Sequence, residues 1–193
     1  MAYEDEVARR RRFEAEALPH LEALYRTAVR LTRNTSDAED LVQETYFKAY
    51  RFWDRYEPGT HCKAWLLKIL TNTRINQAVK EAKQPPQVDF DAVAAAVPGA
   101  APAPDETPNH GDLAAFAALL DDEFAAALEQ LPEEFLLILL LYAEEGYAYK
   151  EIATILDIPI GTVMSRLFRA RKLLQTALRG YARRRGVLKE TNP

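Results

Sequence analysis

The residues with the most distinctive chemistry are cationic and crowd the C-terminal end. From Arg166 to Lys189 there are nine Lys and Arg and no Asp or Glu. Ordinary solvated faces mix signs, whereas a run of one sign suits neutralisation of nucleic-acid phosphates. Thr162, Ser165, Arg166, Arg169, Arg171 and Lys172 point away from an apolar stripe of Val163, Leu167, Ala170 and Leu174 at helical spacing. The chemistry is binding rather than catalysis. No glycine-rich phosphate loop or nucleophile motif occurs, so no enzymatic activity is expected.

Those side chains must be held by a helix, and the chain before it supplies the rest of a motif. Ile152, Ile155 and Leu156 share one face of a shorter helix, with small Ala153 allowing close approach. Asp157-Ile158 breaks the pattern, and Pro159 suits the first position of a new helix because its missing N–H would be unpaired there. A short helix, a sharp turn and a longer basic helix form the helix-turn-helix pattern, whose second helix can enter a major groove. The competing reading, a helical hairpin with a solvated basic face, does not account for the single-sign run.

The formal net charge of −4 over 193 residues hides a strong asymmetry. Residues 1–84 carry 15 basic and 13 acidic side chains, residues 85–134 none and 11, and residues 135–193 ten and five. One cysteine, Cys62, excludes an internal disulfide and fits a reducing cytoplasm. Arg9–Arg12 leads into FEAEALPH rather than an apolar core, so no signal peptide is expected. The longest apolar run, Phe135–Ala143, is too short to span a bilayer and reads as a buried helix. Membrane insertion is not expected, and the protein should be cytoplasmic.

Taken in order, residues 1–12 read as a loose charged tail. Leu18, Leu21, Leu24, Tyr25, Ala28 and Leu31 give one helical stripe between Phe13 and Leu31. Ser36 before DAED is a plausible N-cap. The helix that follows puts Leu41, Thr45, Lys48 and Phe52 near one face, with Asp40, Gln43, Glu44 and Phe47 around its side. After Pro58-Gly59, Trp65, Ile69, Asn72 and Asn76 align on another helix, with Trp65 reading as core. Residues 84–110 hold six prolines and no basic residue, a composition that reads as a mobile tether. Helices resume near Asp112, break at Pro132 and end at Gly146, which reads as a C-cap. No stretch alternates with a β period. The expected fold is all-α: two small helical domains, 13–84 and 112–185, joined by a flexible linker, 85–111, with the helix-turn-helix in the second.

With both halves in view, the chain resembles an extracytoplasmic-function (ECF) sigma factor of bacterial RNA polymerase. The resemblance rests on DAEDLVQETYFKAYR, AWLLKILTNTRIN, ALEQLPEEF and EEGYAYKEIATILDIPIGTVMSRLFRARKLL, in that order. It covers about residues 15–83 as region 2 and 112–182 as region 4. GTVMSRL and ILTNTRIN look most like the stress-responsive branch held by zinc-containing anti-sigma proteins. The resemblance implies that Asp40, Leu41, Gln43, Glu44 and Phe47 dock on the β′ clamp helices of core polymerase, while region 4 meets the β flap. It implies that the loop Tyr56–Cys62, including His61, receives a base flipped from the opened strand, with Lys48, Asn72 and Asn76 contacting the downstream promoter element. It also implies that Thr162, Ser165, Arg166, Phe168, Arg169, Arg171 and Lys172 face the upstream element, where Arg can fork to guanine O6 and N7. An anti-sigma partner is implied as well.

Two departures stand out. Met164 occupies a position where many relatives carry Lys or Arg. Asp157 sits where such turns usually have Gly, and Asp enters the left-handed region more easily than most residues. A non-sigma helix-turn-helix regulator would need only the second half and leaves residues 15–83 unexplained. A redox or metal sensor on His61-Cys62, with or without His20, would have too few ligands for a structural zinc site. No cofactor and no metal are expected.

Overall fold

The structure is a computed structural model and describes residues 2–81 and 122–179. The expected linker 85–111, residues 112–121 where a helix is expected to begin, and the basic residues after Arg179 lie outside the described residues. The chain divides into two compact units, Met1–Gln87 and Val88–Pro193. Both are helical, and no strand occurs among the described residues.

The first unit comprises α1 (Ala2–Ala17), α2 (Leu21–Thr32), α3 (Thr35–Arg51) and α4 (Cys62–Glu81). Two short 3₁₀ turns, Leu18–His20 and Trp53–Arg55, punctuate them. Two expectations fail at its start. Residues 2–12 are helical rather than loose, because α1 is pinned by side chains described below. The stripe expected from Phe13 to Leu31 is not one helix: Pro19, which cannot donate a backbone hydrogen bond, breaks it, and Leu18 and Leu21 are exposed. Helix α2 then ends on Arg33, which adopts φ 57° and returns its N–H to Val29. The cap of α3 is Asn34, not Ser36. Its side-chain oxygen accepts from the N–H groups of Ser36 at 2.8 Å and Asp37 at 3.3 Å, pairing two amides that would otherwise lack partners.

Leu24, Ala28 and Leu31 of α2, Leu41 and Val42 of α3, and Leu66, Leu67 and Leu70 of α4 form the core of this unit. Ala28, Ala38 and Ala49 are fully buried and let the helices approach closely. The buried hydroxyls of Thr27, Thr45 and Thr71 donate to carbonyls one turn back, so none costs an unpaired polar group.

The second unit comprises α5 (Asp122–Glu129), α6 (Glu133–Ala143), α7 (Tyr149–Leu156) and α8 (Ile160–Ala177). Every residue of α6 from Phe135 to Tyr142 is buried, which explains its uninterrupted apolar sequence. Gly146 takes φ 75°, and the N–H of Tyr147 turns back to the Leu141 carbonyl at 3.0 Å. The Glu151 carboxylate accepts the Ala148 N–H at 2.8 Å, opening α7. Asp157 closes α7 at φ 56°, the left-handed conformation expected of it. Pro159 precedes the first residue of α8, and its carbonyl accepts from Thr162 and Val163. Helices α7 and α8, with this turn, form the helix-turn-helix.

Candidate nucleic-acid interface

The four-residue apolar stripe of α8 is buried as the spacing predicts. At 100° per residue, Ser165, Arg169 and Lys172 lie opposite that stripe, with Thr162 and Phe168 to either side. Arg166 and Arg171 fall on its two flanks, and their neighbours differ accordingly. The Arg166 guanidinium stands 3.8 Å from the Glu134 carboxylate at the start of α6, with side-chain exposures of 27% and 23%. Burial pushes the Glu134 carboxyl upward, while the guanidinium of Arg166, then that of Arg169, pulls it down. Arg171 lies over the ring of buried Tyr142, 5.0 Å from its centroid. It packs against that ring and is half-exposed. The Ser165 hydroxyl donates to the Thr162 carbonyl at 3.1 Å.

In the first unit, Asp40, Gln43 and Phe47 project from one side of α3, Phe47 with 69% of its surface exposed. Leu41 does not join them. It faces the opposite way into the core and is removed from the expected polymerase-binding set. Glu44 and Lys48 are committed to each other. The Lys48 ammonium sits 2.7 Å from Glu44 Oε1 and donates to Thr73 Oγ1 at 3.1 Å, and Gln77 donates to Glu44 Oε2 at 2.9 Å. Hydrogen bonding from Lys48 holds the Glu44 carboxyl below its usual range. This bridge fastens α3 to α4.

The loop after α3 is shaped by rings. Tyr56 is only 5% exposed; it stacks on Trp53 at 4.6 Å and lies 5.3 Å from Trp65. Its hydroxyl donates to the Thr60 carbonyl at 3.0 Å. Tyr56 therefore moulds the loop and offers no free face to a base, which corrects its expected role. The loop itself, Glu57 to His61, is exposed, with Gly59 at φ 82°. Cys62 is buried behind it, and burial pushes its thiol up to about 11.

Asn72 and Asn76 are exposed one turn apart on the outer face of α4. Ten residues separate Asn72 from Cys62, about 15 Å along the axis of α4 at the helical rise. Ile75 and Val79, not anticipated from sequence, are exposed on the same face. Their signal was present: i and i+4 apolar residues that fall outside the core stripe of Leu66, Leu67 and Leu70. Phe52 was expected on the face of α3 that carries Leu41. It lies just beyond the helix, partly exposed beneath the guanidinium groups of Arg51 and Arg55.

Comparison with known proteins decides what bears these surfaces. Residues 18–84 match the model of sigma-70 region 2, and residues 121–174 match that of sigma-70 region 4. The chain is 35% identical over 150 residues to the ECF RNA polymerase sigma-E factor of Salmonella typhimurium, covering 78% of each protein. The chain belongs to the ECF sigma factors. It is an alternative sigma factor, directing RNA polymerase to promoters and their opening at initiation. It is also 35% identical over 162 residues to the sigma factor SigE of Mycolicibacterium smegmatis, covering 82% of this chain and 58% of that one. Among solved structures, the sigma factor RpoE of Bartonella quintana, in complex with the anti-sigma factor NepR, matches with a TM-score of 0.61 and 32% identity. That match covers 86% of this chain and 96% of the other. As a sigma factor it needs both units, which a helix-turn-helix regulator would not.

Proposed function

We propose that this sigma factor divides promoter recognition between its two units. The observation that carries the reading is that each unit turns a chemically different face outward. In the region-4 unit, Ser165, Arg169 and Lys172 of α8 line the outward side, with Thr162 and Phe168 beside them. Those groups suit duplex DNA: guanidinium forks for base edges, ammonium for phosphate. Arg166 reads from the flank, held by Glu134.

The region-2 unit reads the downstream element as an opened strand. Asn72 and Asn76 offer amide groups to base edges, and Ile75 and Val79 offer apolar surface beside them. The loop from Glu57 to His61 takes an unstacked base. The exposed ridge of Asp40, Gln43 and Phe47 docks on the β′ clamp helices, an aromatic anchor with a polar rim. Region 4 meets the β flap. Domains spanning 13–84 and 112–185 are tethered by residues 85–111. The protein works in the cytoplasm, contributes no catalytic group of its own, and is held in check by an anti-sigma partner. The last point is supported by a relative solved with one.

Permanganate footprinting of complexes formed with core polymerase tests the division. Asn72→Ala with Asn76→Ala is expected to reduce thymine reactivity in the opened region while leaving closed-complex binding intact. Arg169→Ala is expected to weaken the closed complex itself. Identical footprints for all three proteins would refute the assignment.

A further inference from the structure

Helix α1 ends at Ala17, just before the region-2 match begins at residue 18. Its side chains are nonetheless built into the part of region 2 that carries the loop. The Arg9 guanidinium donates to the Tyr50 carbonyl at 2.7 Å and to Asp54 Oδ1 at 3.1 Å, and lies 4.6 Å over the Tyr50 ring. Tyr50 belongs to the last turn of α3, where carbonyls lack helical partners and the dipole favours a cation. Arg9 thus caps α3 from another helix and grips the 3₁₀ turn that follows.

One helical turn further along, Phe13 is buried edge-on against Tyr50 and Trp53, both at 5.1 Å. Trp53 stacks on Tyr56, and the Tyr56 hydroxyl holds the Thr60 carbonyl, which also accepts the Cys62 N–H at 2.9 Å. Glu16 of α1 faces the same tyrosine. Burial raises the Tyr56 phenol, and the Glu16 carboxylate raises it further. An unbroken series of contacts therefore runs from α1 to the loop. The Arg9–Asp54 pair adds little stability, since Asp54 is 77% exposed. Its geometry instead fixes where the turn Trp53–Arg55 sits.

We propose that α1 is a positioning element for strand opening, with Arg9 and Phe13 setting the 3₁₀ turn and, through Trp53 and Tyr56, the conformation of the loop Glu57 to His61. The inference rests on that loop receiving an unstacked base. A loop held in its receiving shape spends less of the capture energy on ordering itself, so loosening α1 slows opening without touching the loop's own chemistry.

The test uses full-length protein with core polymerase. Arg9→Ala and Phe13→Leu are compared with wild type, and Glu57→Ala with His61→Ala serves as the loop variant. Core affinity is measured by anisotropy, and opening by 2-aminopurine fluorescence on a duplex promoter and on one with a pre-opened mismatched bubble. The α1 variants are expected to open the duplex roughly three- to tenfold more slowly, the scale of one lost solvent-accessible hydrogen bond or ring contact. Their core affinity should be unchanged and most of the deficit recovered on the bubble. Arg9→Lys, which keeps the charge but not the fork, should fall between. Wild-type opening rates in the α1 variants, with a slow loop variant, would overturn the role of α1 alone. Wild-type opening in the loop variant would overturn the loop reading beneath it. Equal losses in core affinity and on both templates would reduce α1 to a brace of the fold and overturn the proposal.

Discussion

Phe47→Ala separates binding from folding more cleanly than any other change in region 2. The side chain is 69% exposed, so little of it contributes to the core. Fully burying a phenylalanine is worth about 1.5–3 kcal/mol, and the fraction still in water leaves roughly 1–2 kcal/mol to be gained by docking. That corresponds to a core-polymerase Kd about five- to thirtyfold weaker in the variant. Alanine is the better helix former by up to ~0.7 kcal/mol, so the melting temperature should hold or rise slightly. Titration of labelled protein with core polymerase, alongside thermal unfolding, measures both quantities. Leu41→Ala is the contrast: a buried truncation costing about 2–5 kcal/mol of stability. An unchanged Kd for Phe47→Ala, or a fall in its melting temperature, would refute the docking ridge.

Three further outcomes follow from where the side chains sit. Arg169→Ala should weaken upstream-element binding by roughly 1–3 kcal/mol and relax base preference there. Arg171→Ala should instead cost about 0.5–1 kcal/mol of stability by removing its contact with Tyr142 and leave base preference alone; mobility shifts on variant promoters and thermal melts distinguish the two. Glu44 has its carboxyl pKa lowered in the folded state, so its contribution is present above the ordinary value of 4.5 and is lost as pH falls below it. Glu44→Gln should therefore flatten the acid side of the stability profile, measured by melts between neutral and acid pH, and an unaltered acid limb would contradict the bridge to Lys48 and Gln77.

Periodicity made the buried stripes legible, because helical spacing and burial have the same cause: Val163, Leu167, Ala170 and Leu174 needed no structure to be found. The left-handed Asp157 was legible too, since few side chains tolerate that geometry. Less was visible where the outcome depends on which of two competing partners a polar group takes. Asn34 and Ser36 both suit an N-cap, and only the geometry of the turn after Arg33 gives the role to Asn34. Lys48 and Arg171 read as cations for DNA, yet one is held by a carboxylate on its own helix and the other by a ring from a neighbouring one. Residues 2–12 looked like a tail because a stripe of charges carries no core signal. Their order comes from Arg9 and Phe13 meeting residues some forty positions away in sequence. Such long-range pairs leave no local pattern.

The central claim is that this one chain supplies both the duplex-reading and the strand-capturing surfaces that polymerase needs at a promoter. Run-off transcription with core polymerase on a pool of genomic promoter fragments tests it most directly. The account predicts discrete products from a small set of promoters, absent with core alone, lost with Arg169→Ala on duplex templates, and lowered by Asn72→Ala with Asn76→Ala except where the template is already opened. No product above core alone, or products that ignore both sets of substitutions, would contradict it.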